Sequence, residues 1–300
     1  MNKVWFSRLS RYGLLDFLPD REFLKIAYHA KTGRRLNLDN PRGFNEKLQW
    51  LKLYNRDSRY PMMVDKYAVK LYVSQIIGEQ YVIPTLGVWD SFDRIDFDTL
   101  PNQFVLKCTH DSGGLVICKD KSRLDKVMAE KKISGSLKRN YYWSGREWPY
   151  KSVRPRIIAE KYMTDSGSDR DTGDLKDYKF YCFNGTMRLM MINSDRNADC
   201  PTKADYFDRD YNWLDFTWGY QHAEERPNKP KNFETMVAIA EKLAHGLPHV
   251  RVDLYECGGK IYFGELTFYD GSGFDNIEPI EWDYKIGEML ELPPKDAGDK

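Results

Sequence analysis

Apolar residues change their spacing about a third of the way along the chain. Up to Gly78 they recur at three and four positions: residues 21–32 predict a helix ended by Gly33, and GFNEKLQWLKLY (43–54) carries Phe44, Leu48, Leu51 and Tyr54 on one stripe. Pro61 opens a further helix over 62–77, stopped by Gly78. Short β-like runs then take over. QFVLKCT (103–109) and LVICK (115–119) flank HDSGG, a helix follows from 122 to about 139, and RIIAEKYM (156–163) is strand-like again. Residues 177–183 and 186–193 predict a hairpin about Asn184-Gly185. Residues 233–247 predict an alanine-rich helix, RVDLYECGGKIYFGELT (251–267) a second hairpin, and 282–290 a terminal helical stretch. Helices and strands interleave without regular βα alternation, which predicts an α+β class with antiparallel sheets. Two polar, turn-rich stretches, 164–176 and 196–205, predict mobile loops.

Charge and composition narrow the function classes. The 300 residues suffice for one large domain or two interlocked ones. With 46 basic and 45 acidic residues the formal charge is +1, so no global field favours nucleic acid or an anionic membrane, and no nucleic-acid partner is expected. Five cysteines (Cys108, Cys118, Cys182, Cys200, Cys257) are widely spread and never form CxxC, which fits neither a disulfide framework nor a zinc knuckle and predicts a reducing, cytoplasmic setting. The first twenty residues alternate charged and apolar positions, which predicts a helix docked on its own core rather than a signal peptide or a membrane-surface helix. No apolar run approaches the ~20 residues of a transmembrane span.

The second hairpin holds the densest chemistry. If its loop is Gly258-Gly259-Lys260, Asp253 falls opposite Glu265 on one face; a two-residue Gly-Gly loop would instead pair Asp253 with Gly264 and send Glu265 to the other face. Two neighbouring carboxylates need a cation between them, and Mg2+ bound through carboxylate oxygens is the usual solution beside phosphates. Arg251 lies two positions before Asp253, on the same face. Lys107 ends an apolar strand just before Gly113-Gly114, whose backbone N–H groups can approach a phosphate closely. GxxxxGK[ST] and GxSxG are both absent.

The order of these features resembles the ATP-grasp ligases over roughly residues 60–275: Lys66 in VDKYAVK, Lys107 before a glycine loop, Glu160-Lys161 in IAEKYM, then RVD and ELT on a hairpin. More narrowly, NPRGFNEKLQWLKLY, VDKYAVKLYV, FVLKCTHDSGG, DYKFYCFNG and RVDLYECGGKIYFGELTF are similar to the TupA-like branch found in bacterial teichuronopeptide and capsule clusters. The resemblance implies an ATP-grasp fold, two α+β subdomains with antiparallel sheets clasping ATP behind a helical N-terminal region, with divisions at 1–58, 59–163 and 164–300. It implies that Lys66 and Lys107 reach the phosphates and that Glu160, Lys161, Tyr162 and Met163 form the adenine hinge, with Asp177 at the ribose. Asp253 and Glu265 match the acids that hold magnesium, and Arg251 matches an arginine that stabilises an acyl-phosphate transition state. Where many relatives carry an asparagine ligand this chain has Thr267, so a water or Asp270 is an alternative. Lys203, on the second polar loop, is the candidate for a further phosphate lysine, and Lys179 faces either the site or a solvated sheet face.

The activity implied is ATP-dependent carboxylate–amine ligation with release of ADP. Its partners would be an amino acid or amine and a carboxylated sugar or glycan, with peripheral association to membrane-bound polysaccharide machinery. Aromatic stretches at 140–150 and 211–220 are expected mostly to pack, with some rings free to stack on sugar. Two competing readings remain: glycosyl transfer using Asp169-Arg170-Asp171 or Asp208-Arg209-Asp210, and a non-catalytic nucleotide-binding protein.

Overall fold

A computed structural model describes residues 3–11, 13–164, 177–194 and 202–295. Five helices come first: α1 (Lys3–Arg11), α2 (Asp20–Thr32), α3 (Phe44–Tyr54), α4 (Tyr60–Val64) and α5 (Ala68–Ile77). Asp20 and Glu22 occupy the first turn of α2, where negative charge is favoured, and Gly33 ends it at φ +74° with its N–H on the His29 carbonyl. The stripe expected on α3 is buried at Phe44, Leu48 and Leu51, each side chain contributing roughly 1.5–3 kcal/mol. The single helix expected over 62–77 is instead two. Asp65 takes extended backbone and its carboxylate accepts the N–H groups of Tyr67 and Ala68 at 2.8 and 3.2 Å, which starts α5 afresh and leaves Lys66 in the break. The N-terminal helix docks as expected, with Phe6 buried against Phe23 at 5.5 Å between ring centres.

A four-stranded sheet follows, built from β1 (Thr85–Trp89), β2 (Phe104–Cys108), β3 (Leu115–Cys118) and β4 (Ile157–Lys161) in the order β1-β4-β2-β3, every pairing antiparallel. Phe104, Leu106, Cys108, Ile157 and Ala159 alternate onto one face and pack under α6 (Lys126–Leu137) as a separate core. α6 begins later than expected because Asp125 caps it, accepting the Met128 N–H at 2.9 Å. A short helix, α7 (Tyr142–Gly145), precedes β4.

The larger sheet holds β5 (Asp177–Phe183), β6 (Thr186–Ser194), β7 (Lys203–Asp208) and β8 (Trp213–Leu214), and a separate short strand, β9 (Thr217–Trp218), comes next in the chain. After α8 (Phe233–Ala244), strands β10 (His249–Cys257) and β11 (Lys260–Thr267) complete it in the order β11-β10-β5-β6-β7-β8, again antiparallel. β12 (Ile277–Glu278) pairs with β9, and α9 (Glu281–Met289) packs on α3. The main core runs between this sheet, α8 and the N-terminal helices. The β5–β6 hairpin turns at Asn184-Gly185 as expected, both at positive φ. Of the two expected loops, 165–176 and 195–201 lie outside the described residues, whereas Lys203 and Asp205 stand in β7 rather than in a loop. The class is α+β with antiparallel sheets, as the alternation predicted. Among the described residues no helix is long and apolar enough to cross a membrane.

Most of the aromatic stretches serve packing. Tyr211 stacks on Phe207 at 4.2 Å, Phe216 on Tyr206 at 4.4 Å, and Tyr142 and Trp143 enclose the buried Arg146 guanidinium. His249 sits among Phe44, Tyr181 and Phe183, and its Nδ1–H donates to the Cys182 carbonyl at 3.0 Å. Burial pushes the His249 imidazole down from 6.5 to about 4. The unfolded chain therefore takes up a proton in this window that the folded chain refuses, so stability falls as pH drops from 6.5 towards 4. This residue contributes on the order of 3 kcal/mol of that fall. Urea unfolding of His249→Phe at pH 7 and pH 4.5 is expected to show a shallower acid loss than wild type.

Candidate functional site

The hairpin of β10 and β11 differs from the expected one at its tip and yet reaches the same pairing. Gly258 and Gly259 lie at φ +56° and +75°, a two-residue primed turn whose twist suits a tight hairpin, and Cys257 pairs with Lys260. The three-residue loop is thus not formed. The ladder continues to Leu254 opposite Phe263, then skips Gly264 and resumes with Asp253 opposite Glu265. Gly264 is a β-bulge, the one extra residue that restores the two acids to a single face. A Cβ there would stand 2.9 Å from the Tyr255 ring and 3.1 Å from the Asp253 carbonyl oxygen, so the site has no room for a side chain.

Around these acids lies a buried charge network. Arg251 Nε and Nη2 donate to the two oxygens of Asp253 at 2.7 Å each, Nη2 also reaches Glu265 Oε1 at 2.9 Å, and Nη1 is paired with Asp270. Lys179, opposite Asp253 on β5, pairs with it and with Asp177 Oδ2 at 2.6 Å. Thr267 Oγ1 donates to Glu265 Oε1 at 3.1 Å, and the Tyr181 hydroxyl to Asp270 Oδ2 at 2.5 Å. Burial alone would raise the Asp253 carboxyl, but Arg251 and then Lys179 outweigh it and hold it below its ordinary range. Burial would likewise lower Lys179, and its carboxylate neighbours, Asp253 foremost, leave it raised. Lys179 therefore faces this cluster and not a solvated surface.

A second group sits on the open face of the smaller sheet. Glu160 is buried between Lys107 Nζ at 2.6 Å and the ammonium of Lys70, which also donates to the Ile83 carbonyl at 2.7 Å. Burial would raise Glu160, yet Lys107 and Lys70 together lower it. Lys66, in the break between α4 and α5, donates its N–H to Thr109 at 3.0 Å and its ammonium to the Asp111 carbonyl. Asp111 Oδ1 accepts the Gly114 N–H at 3.1 Å and so shapes the glycine loop. Gly114 is pressed against Cys108 and Ser136, where a Cβ would meet Sγ at 2.5 Å, whereas Gly113 is exposed. His110 bonds the Ser136 and Arg139 carbonyls and supports this loop from behind. Glu147, burial and Glu265 of the first cluster raise the Tyr141 hydroxyl.

The structure thus gathers Arg251, Asp253, Glu265, Thr267, Lys179 and Asp177 in one cluster, and Lys66, Lys107, Gly113, Gly114 and Glu160 in the other. Lys161 is exposed at the end of β4 with its N–H on the Pro84 carbonyl, and Tyr162 and Met163 follow half-buried. Lys203 joins neither cluster. It pairs with Ser194, and its parity with Tyr206, which faces Met191 in the Lys179 row, puts it on the opposite face of the sheet. The sequence reading missed Lys70, although VDKYAVK places it four residues after Lys66, one helical turn on.

Oxygen donors from Asp253, Glu265, Thr267 and Asp270 suit a hard cation such as Mg2+, so the residues present fit the metal. No three His, Cys, Asp or Glu side chains among the described residues are grouped to hold a metal ion, and in this cluster Arg251 and Lys179 stand between the acids. Of the two DxD strings, 169–171 lies outside the described residues. Asp208 of the other accepts the N–H groups of Asp210 and Asn212 at 2.9 and 2.8 Å and so closes the β7–β8 turn.

The family described as TupA-like ATPgrasp matches residues 46–291. Among solved structures, D-alanine–D-alanine ligase from Bacillus anthracis is 15% identical (TM-score 0.40; 69% of this chain, 57% of that one) and the Helicobacter pylori enzyme 15% (TM-score 0.41; 83% and 70%). ATP-grasp ligase PsnB, complexed with minimal precursor, Mg and ADP, is 13% identical (TM-score 0.38; 76% and 60%). The chain spans 57% of the first of these. No curated protein matches it.

Gly264→Val is expected to lower the unfolding free energy by about 1–3 kcal/mol, because the bulge cannot admit a side chain. Gly135→Ala, on α6 with nothing near its Cβ, is the control and is expected to stabilise by roughly 0.5–1 kcal/mol. Urea titration of both variants checks the contrast.

Proposed function

This chain belongs to the TupA-like ATP-grasp family, and on that premise we propose that it is an ATP-dependent, ADP-forming carboxylate–amine ligase acting on a sugar carboxylate. The observation that carries the reading is the opposite charge of the two clusters. Asp177, Asp253, Glu265 and Asp270 against Arg251 and Lys179 leave a formal charge of minus two, whereas Lys66, Lys70 and Lys107 against Glu160 leave plus two. A polyphosphate with its divalent cation complements both at once.

In this reading residues 59–163 form the lid, 164–300 the catalytic part and 1–58 the helical support. Lys66 and Lys107 move from their present partners to the phosphate oxygens, the exposed Gly113 lets backbone approach them, and Lys70 keeps Glu160 ionised meanwhile. Glu160 to Met163 line the adenine, and Asp177 reaches the ribose. Asp253 and Glu265, with Thr267 or Asp270, would hold Mg2+, which when bound screens the phosphate charge. Arg251 then offers its guanidinium to the anion that develops as the carboxylate attacks the γ-phosphate. The acyl phosphate so formed is a good electrophile, and an amine displaces phosphate to give an amide. The uronic-acid or other carboxylated glycan acceptor, the amino acid or amine donor, a cytoplasmic setting and a place in surface-polysaccharide synthesis rest on the family alone.

ADP release is to be measured with uronic-acid acceptors and a panel of amines. Turnover of sugar nucleotides without ATP would sink the ligase assignment, and tight ATP binding without turnover would make the chain a non-catalytic binder. Glu265 has a side chain 40% exposed, so Glu265→Gln is expected to fold normally and lose on the order of 10²-fold or more in kcat. Asp253→Asn is expected to lose activity as well, but also stability, because the buried Lys179 and Arg251 lose the anion that compensates them. Kinetics paired with thermal unfolding distinguish the two.

A further inference from the structure

Helix α3 carries a second stripe that is polar and yet buried. Asn45, Gln49 and Lys52 recur at four and three residues along one face and are 0%, 0% and 1% exposed. All three side chains donate to one segment of backbone. Asn45 Nδ2 reaches the Asp275 carbonyl at 2.9 Å, and Gln49 Nε2 reaches Ser272 and Gly273 at 3.0 and 2.8 Å. Lys52 Nζ reaches the carbonyls of Ser272 and Gly145 at 2.7 and 2.8 Å.

The segment they hold would not adopt its shape unaided. Gly271, Ser272 and Gly273 all lie in the left-handed region, at φ +52°, +56° and +64°, and Ser272 is the one of the three for which this is costly. Its side chain is fixed on both sides: the hydroxyl donates to Glu147 Oε1 at 2.7 Å and accepts from Lys52 Nζ at 3.1 Å. Glu147 is itself buried. The turn starts at Asp270, the residue that takes Arg251 Nη1 and the Tyr181 hydroxyl. A chain of direct contacts therefore runs from α3 to the guanidinium between Asp253 and Glu265.

We propose that Lys52, Gln49 and Glu147 are positioning residues that act through Ser272: they hold the turn at 270–273 left-handed so that Asp270 fixes the orientation of Arg251. Burial of the Lys52 amine, which pushes its pKa down to about 7, and of the Glu147 carboxyl, which pushes its own up, is a cost that apolar packing would avoid. Carbonyl groups pointed at a cation specify an orientation, which apolar contact cannot do. The effect on catalysis rests on the ligase reading above; the effect on Arg251 does not.

Ser272→Gly separates positioning from stability, since glycine is at ease at φ +56° while the bridge between Glu147 and Lys52 is lost. Its melting temperature is expected to fall less than that of Lys52→Met, because relief of the left-handed backbone offsets part of the lost hydroxyl contacts, with kcat down about tenfold and the KM for ATP unchanged. Lys52→Met is expected to lower both kcat and melting temperature. The double variant should fall no further in kcat than the worse single one, because the two residues act in series. Independently of activity, exchange of the Arg251 Nε proton, followed by NMR, is expected to quicken in Ser272→Gly. Unchanged exchange would overturn the inference, as would wild-type kcat in Ser272→Gly alongside an inactive Glu265→Gln. Full activity in Glu265→Gln would instead overturn the ligase reading and leave the exchange experiment to decide on positioning.

Discussion

One guanidinium shared by three carboxylates ties together the elements around the edge of the larger sheet. Arg251 is buried, and its charge is tolerated there only because Asp253, Glu265 and Asp270 surround it. Each acid arrives from a different piece of chain: one from the same strand, one from the neighbouring strand, one from the turn after it. Losing any of these elements would leave a charge unmatched at low dielectric, where the cost is several kcal/mol. Hairpin register, the bulge and the left-handed turn are therefore coupled through one side chain.

The two sheets solve different problems. The larger one is covered by α8 on one face and shares the main core with the N-terminal helices, so its charged residues sit on a rigid support. The smaller sheet has a separate core beneath α6, and Lys107 and Glu160 project from its other face, where Lys70 of α5 meets them. Glu160 offsets the mutual repulsion of Lys70 and Lys107 and so fixes where the two ammonium groups rest.

Much of this was legible in the sequence, for identifiable reasons. Alternation and the Asn184-Gly185 turn are local signals, and both gave the β5–β6 hairpin correctly. The pairing of Asp253 with Glu265 was also expected, but by way of a three-residue loop that the chain does not form. A glycine bulge is invisible to a pattern of period two, because it is an interruption of that pattern. The break at Asp65 was missed since the apolar spacing runs on through it, and only the capping carboxylate ends α4 there. Lys179 with Asp253, 74 residues apart, depends on strand order, which no local spacing encodes. The buried stripe of Asn45, Gln49 and Lys52 reads in sequence as the solvated side of an amphipathic helix. Only tertiary contact reveals it as interior.

The tip of the second hairpin has a consequence for how this chain can vary. Two glycines at the turn and one at the bulge act as a matched set, because turn length and bulge count together determine which face receives Glu265. At this sequence, a tip that drew in Lys260 and set Cys257 opposite Ile261 would preserve the acid pair only if the bulge were lost in the same step. Tip and bulge therefore work as one parity device: a slip at either alone would send Glu265 to the face opposite Asp253.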